Sequence, residues 1–183
     1  MAIVIAVSGL AGAGKTTATV FMQQDGVGLR VYAGQVVLDE VIARGLHPGA
    51  ESERAVRVEF REKFGVAAMA KLAAPHIMKT LKADTNVLLD AVLSLEELFY
   101  YKDQCGMNVA LLMIEASFEL RSLRVSQRED RKLTATELRA RDILENQGLG
   151  IARLLPQAKK RVVNEASLEQ FRAELRQFVQ SIC

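Results

Sequence analysis

Eight residues near the N-terminus carry the clearest chemistry in the chain. Gly9, Leu10, Ala11, Gly12, Ala13, Gly14, Lys15 and Thr16 follow the spacing G-x-x-x-x-G-K-[ST], which suits a loop that wraps a phosphate. Glycines at 9, 12 and 14 let the backbone turn tightly and aim successive N–H groups inward as a nest for anionic oxygens. Lys15 supplies a mobile point charge for the β- and γ-phosphates of a nucleotide, and the Thr16 hydroxyl can ligate Mg²⁺. A glycine-rich turn with a chance lysine would carry the same letters, so context decides. An apolar, β-branched run at 2–7 precedes the loop and a helical pattern begins near Lys15. The loop would then stand at a helix N-terminus, whose dipole favours anions.

Two further groups could complete such a site. Val87-Leu88-Leu89-Asp90 places a carboxylate at the C-terminal end of an apolar strand, where an acid can hold Mg²⁺ or its water; an ordinary strand-end aspartate is the plainer alternative. Arg121, Arg124, Arg128 and Arg131 are three and four apart, a spacing that makes one basic stripe if the segment is helical. Such a stripe is often a solvated face. Beside a phosphate loop, Arg121, Arg124 and Arg128 could instead close over a triphosphate and neutralise charge that develops during phosphoryl transfer. Residues 121–161 hold 11 basic and 5 acidic side chains, a local charge of +6 inside a chain whose total is only +2.

The elements that must position these groups are legible in outline. Continuous apolar runs at 2–7, 86–92 and 108–114 read as strands buried on both faces, with weaker candidates at 29–32 and 161–163. Residues 51–64 and 66–82 are rich in helix formers, with Gly65 as a breaker between them. Ser94 to Glu97, Thr134 to Glu137 and Ser167 to Gln170 have the spacing of capping boxes. Leu168, Phe171, Leu175, Phe178 and Ile182 form one apolar stripe on a final helix. Strands alternating with helices predict an α/β architecture with a parallel sheet covered on both sides.

Composition narrows the function. A length of 183 residues fits one domain, and a charge of +2 with 5% aromatics offers no general basis for binding nucleic acid or an anionic membrane. Cys105 and Cys183 form no disulfide framework or metal pattern, and His47 and His76 have no partner pattern. No apolar run reaches the ~18 residues of a membrane helix, and no signal peptide is recognised. The expected setting is the cytoplasm. The sequence does not fix the oligomeric state.

With these residues in hand, the chain resembles the nucleoside-monophosphate-kinase-like branch of P-loop proteins. Within that branch it is most similar to a group of dephospho-CoA-kinase-like nucleotide kinases best represented in archaea. The resemblance runs nearly end to end. It rests on the loop at 9–16, Gly34-Gln35-Val36-Val37, the segment 59–65, Leu89-Asp90, the Arg121 and Arg124 pair, Arg141-Asp142, Gly148-Leu149-Gly150-Ile151 and the segment 163–169. It implies a three-layer P-loop NTPase fold over residues 1–183, with a five-stranded parallel sheet in the order 2-3-1-4-5. It further implies a helical substrate-binding region at about 35–82 and a short helical lid at about 118–135. Asn164, with Glu165, would pack near the adenine of ATP. The nucleotide-binding set is then 9–16 with Thr17 and Asn164, and Mg²⁺ falls to Thr16 and Asp90.

Departures from the family pattern lie on the acceptor side. Where these kinases usually carry Gly-Asp-x-x-Arg, this chain has Gly34-Gln35-Val36-Val37-Leu38, and Leu93 stands where a further arginine is usual. Asp39, one turn beyond Gln35, could supply a displaced carboxylate. Arg61, with Arg54 and Arg57 on the same helical face, could replace the lost arginines. The expected activity is ATP- and Mg²⁺-dependent phosphoryl transfer to a small, nucleotide-like acceptor, with Gln35, Asp39 and Arg61 facing it. The alternative is an ATP-binding regulatory or interaction module whose acceptor site has decayed. A nucleic-acid-dependent ATPase fits the composition less well.

Overall fold

Strand β1 (Val4–Ser8) is buried along its whole length because it has neighbours on both edges and helices on both faces. Those neighbours are β3 (Val87–Asp90) and β4 (Val109–Glu115), with β2 (Leu29–Tyr32) outside β3 and β5 (Lys160–Val163) outside β4. The sheet order is β2-β3-β1-β4-β5 and every pairing is parallel, with Val4 opposite both Val87 and Val109. The computed structural model describes residues 2–129 and 131–182. Cys183 lies outside them, as does Asp130 within the expected lid.

Alternation along the strands feeds two cores. Val4, Ala6, Leu89 and Leu111 face helix α4 (Ala68–Lys82) and the short α5 (Leu95–Phe99). Ile5, Val7, Leu88 and Leu112 face α1 (Lys15–Gln24) and the final helix α8 (Leu168–Ile182). In α8 the expected stripe holds at Phe171, Leu175 and Phe178, all buried, whereas Leu168 is 58% exposed because it begins the helix. Asp25, just beyond α1, accepts hydrogen bonds from Arg172 and Arg176 of that helix and joins the two ends of the chain. Its carboxyl is held well below the usual range by those two guanidiniums.

Helices α2 (Gln35–Ala43) and α3 (Ala50–Phe64) pack with the start of α4 around Val37, Val41, Val56 and Met69, a small separate core. The capping boxes behave as their spacing predicts at Thr134 and Ser167. At Ser94 the cap accepts from Glu97 N, but the Glu97 carboxylate reaches one residue further, to Leu93 N. The arginine stripe needs correction. Helix α6 (Phe118–Ser126) ends before Arg128 and Arg131, so only Arg121 and Arg124 share a helical face. Helix α7 (Ala135–Ile143) follows, and Arg131 before it adopts a positive φ of 56°. Among the described residues no helix is long and apolar enough to cross a membrane.

Candidate functional site

The loop between β1 and α1 lies at the C-terminal edge of the sheet, and its glycines are dictated by close approaches. A Cβ on Gly9 (φ +139°) would lie 2.1 Å from the Ile114 carbonyl oxygen, and one on Gly14 (φ +110°) 2.3 Å from Asn164 Nδ2. Asn164 is buried and donates from Nδ2 to the Ala13 carbonyl at 2.8 Å, so the segment after β5 braces the loop directly. Lys15 Nζ folds back over the loop, donating to Gly9 O at 2.5 Å and Leu10 O at 3.0 Å. Burial pushes its pKa down to about 8; Glu145 and Asp90 oppose that shift, while Arg141 and Arg128 add to it.

Thr16 and Asp90 meet as their types predict. Thr16 Oγ1 donates to Asp90 Oδ2 at 2.9 Å, and Asp90 is 3% exposed. The same oxygen accepts from Arg30 Nη2 at 2.6 Å and Nε at 3.2 Å, and Nε also lies 3.2 Å from Thr19 Oγ1. Sequence reasoning missed Arg30. Its signal was a lone basic residue inside a strand, in register with Leu88 and so on the same sheet face as Asp90. A hydroxyl beside a buried carboxylate suits Mg²⁺, which is held by one or two carboxylates with waters and phosphate oxygens. Thr16 and Asp90 therefore fit the ion, and Arg30 competes with it for Oδ2.

Arg121 differs from an arginine free to close over a phosphate. It is 4% exposed and commits four of its five N–H donors: Nε to Ala116 O, Nη1 to Ala11 O and Asp142, and Nη2 to Asp142 at 2.7 Å. Arg124 Nη2 donates to Asn164 O at 2.9 Å, while its Nη1 is buried without a partner. Arg128 is exposed, and its charge is felt at Lys15. Arg141-Asp142, weak as a motif, thus contributes an anchor for Arg121 and a cation near Lys15.

On the acceptor side, Gln35 and Asp39 are exposed and bond to each other at 2.9 Å. Arg61 is half-buried, its Nε lacks a partner, and burial lowers its pKa against the opposing charges of Glu97 and Glu145. Three carboxylates here are buried, and of them Glu97 alone carried a sequence signal, as the capping-box partner of Ser94. Glu53 accepts from Arg57 at 2.5 Å and Arg131 at 2.7 Å, tying α3 to the loop after α6. Burial pushes the Glu97 carboxyl up to about 7. Glu145, in the π-helical turn Leu144–Gly148, accepts from Arg141 Nε at 2.8 Å and leaves Oε2 buried without a partner. A cavity of about 230 Å³ beside the loop, lined by Leu10, Met113, Ile151, Leu155 and Arg121 among others, contains none of Lys15, Thr16 or Asp90.

A sequence profile of the family described as AAA domain matches residues 5–147. A UPF0200 protein of Methanoculleus marisnigri is 34% identical over 94% of this chain and 93% of its own length. Among solved structures, a sugar kinase from Janibacter aligns with a TM-score of 0.62 at 16% identity, over 98% of this chain and 95% of that one. The shikimate kinase of Aquifex aeolicus aligns with a TM-score of 0.58 at 17% identity, over 97% of this chain and 96% of that one. At these identities the structural likeness speaks for a kinase-like P-loop fold.

Proposed function

The chain belongs to the AAA domain and UPF0200 families, and on that premise we propose that it is an ATP- and Mg²⁺-dependent phosphotransferase acting on a small, nucleotide-like acceptor. The observation that carries this reading is the convergence of Lys15, Thr16 and buried Asp90 at one loop, with the Thr16 hydroxyl on the Asp90 carboxylate. Phosphoryl transfer asks mainly for positioning and charge neutralisation. In this reading the amides of 9–16 hold the phosphates, joined by Thr17 at the helix start, and Lys15 moves from its two carbonyls to the phosphate oxygens. Thr16 and Asp90 would hold Mg²⁺, which would supply positive charge to those oxygens. Arg121 keeps the loop in shape through Ala11 O, and Arg124 and Asn164 brace its far side. Arg128 and Arg141 lend positive potential near Lys15. Residues 35–82 receive the acceptor, with Arg61 as the cation offered to it, and 118–135 act as the lid of a single domain. Gln35 and Asp39 sit at the rim, and the resemblance to dephospho-CoA-kinase-like enzymes supports an acceptor of that general kind.

The test is ATP binding and turnover with purified protein. ATP with Mg²⁺ raises the melting temperature, equivalent to ~2.7 kcal/mol at a hundredfold excess over Kd, and Lys15→Ala abolishes turnover. No shift and no measurable affinity would refute the proposal. Arg30 on the metal-binding carboxylate and the uncharged Gln35 favour a second reading, a nucleotide-binding regulatory module. That reading expects ATP binding without turnover against any acceptor.

A further inference from the structure

Glu145 is 5% exposed and has one oxygen, Oε2, that no hydrogen-bond donor reaches, while its other oxygen is held by Arg141. A buried carboxylate oxygen left unpaired is costly, so it calls for a partner that arrives later. Its surroundings say where that partner would stand. Asp142, one turn before Glu145, shares Arg121 with the Ala11 carbonyl of the loop, and the next residue, Asn146, lines the cavity beside Gly9 and Leu10, so Glu145 stands close to Lys15 and its charge acts there and on Arg61. Arg61 has the complementary defect, a buried Nε–H without an acceptor. One ligand satisfies both groups if it offers a hydroxyl to Glu145 and an anionic oxygen to Arg61.

We infer that Glu145 is the catalytic residue that accepts the proton of an attacking hydroxyl, and that the acceptor is an alcohol carrying a negatively charged group rather than a phosphate that is itself phosphorylated. The inference rests on the phosphotransferase reading and deepens it. A carboxylate at the transfer point would repel a phosphate nucleophile, which needs no base, but would suit a hydroxyl, which must lose a proton as it attacks. The acceptor oxygen forms a bond to the γ-phosphorus, and the bond from that phosphorus to the bridging oxygen of ATP breaks. The bond's electron pair leaves on ADP, and the hydroxyl proton passes to Glu145 Oε2. The carboxylates at Gln35's expected position and at Asp39 are not needed: the first is absent and the second is bonded to Gln35. Of the buried carboxylates Glu53, Glu97 and Glu145, Glu145 is the one with a buried oxygen left without a donor, so Glu97 fits the role less well.

The test uses water, the smallest hydroxyl acceptor, beside AMP as a phosphate acceptor. Phosphate release from ATP with Mg²⁺ is measured for wild type, Lys15→Ala, Glu145→Gln and Glu145→Asp, with thermal melts as folding controls. Loss of a positioned base costs ~10²–10⁴-fold, so Glu145→Gln should lower kcat at least about a hundredfold while the KM for ATP stays within about twofold. Glu145→Asp should recover part of the rate. Where Glu145→Gln does not fold, the aspartate variant carries the test through its own fall in kcat at constant KM. An unchanged kcat in a folded variant overturns the inference, as does conversion of AMP to ADP faster than hydrolysis by water. Wild type without Lys15-dependent phosphate release overturns the phosphotransferase reading and this inference with it.

Discussion

The pair Arg121–Asp142 offers a sharp test of how the loop is held. Asp142 Oδ2 receives Arg121 Nη2 at 2.7 Å, and the two side chains are 5% and 15% exposed. Arg121→Met would leave Asp142 without its counter-charge, which costs ~3–5 kcal/mol at buried pairs. It would also strip the Ala11 carbonyl of its donor. For a chain of this size that is a fall in melting temperature of about 6–20 °C, at ~2–4 °C per kcal/mol. Asp142→Leu alone leaves a buried guanidinium and should cost a similar amount. The double variant removes both charges, so it should cost clearly less than the sum, with ~1–3 kcal/mol remaining from the carbonyls of Ala11 and Ala116. Urea unfolding of the four proteins measures this cycle directly. Strict additivity, or a single-variant cost below ~1 kcal/mol, would refute the claim that this pair locks the loop. ATP affinity should fall in step with stability, because the Ala11 carbonyl belongs to the loop that takes the phosphates.

Glu97, with its carboxyl pushed from 4.5 to about 7 by burial, makes stability fall as pH rises through that window. The folded protein holds a proton there that the unfolded chain has released, so the contribution is complete below about pH 4.5 and lost above pH 7. The difference amounts to at most ~3 kcal/mol; Glu97→Gln should flatten the pH profile of urea unfolding, and parallel profiles would contradict the assignment. Arg30→Ala releases Asp90 Oδ2, so the Mg²⁺ concentration at half-maximal turnover should drop about three- to tenfold, in line with ~1 kcal/mol for a partly exposed pair. A rise in that concentration would mean that Arg30 helps the ion rather than competing with it. Gly14→Ala places a Cβ against Asn164 at a φ of +110° and should destabilise by ~2 kcal/mol or more. Adding Asn164→Ala relieves the clash but not the backbone strain, so a full recovery in melting temperature would show that only the clash mattered.

What could be read before the structure was local. Apolar runs announced β1, β3 and β4 because each is buried on both faces. β2 was fainter because Arg30 interrupts it, and that interruption was itself the trace of a contact with Asp90. Thr16 and Asp90 could be named because each stands at a fixed place relative to its own strand or loop. The carboxylates Glu53 and Glu145 could not: beyond its helical neighbour Arg57, the second partner of Glu53 lies 78 residues away at Arg131, and the unpaired oxygen of Glu145 exists only once α7 has docked. Three-and-four spacing overreached at 128 and 131 because it persists past Ser126, where the helix stops. Arg121 was expected to close over a triphosphate, and the partners that hold it instead, Asp142 and the Ala11 carbonyl, are matters of tertiary approach.

The central strand of the sheet is also the first to be synthesised. β1 ends at Ser8, but its two neighbours begin at Val87 and Val109. At ~5–20 residues per second of translation, the most apolar segment of the chain waits several seconds for either neighbour. During that interval its unpaired edges are open to any other extended chain. The loop glycines and Lys15 that follow cannot take their final shape either, since Gly9 is defined by its approach to Ile114 and Gly14 by Asn164. The loop at 9–16, translated before either neighbour of β1, is therefore among the last parts of the nascent protein to be finished.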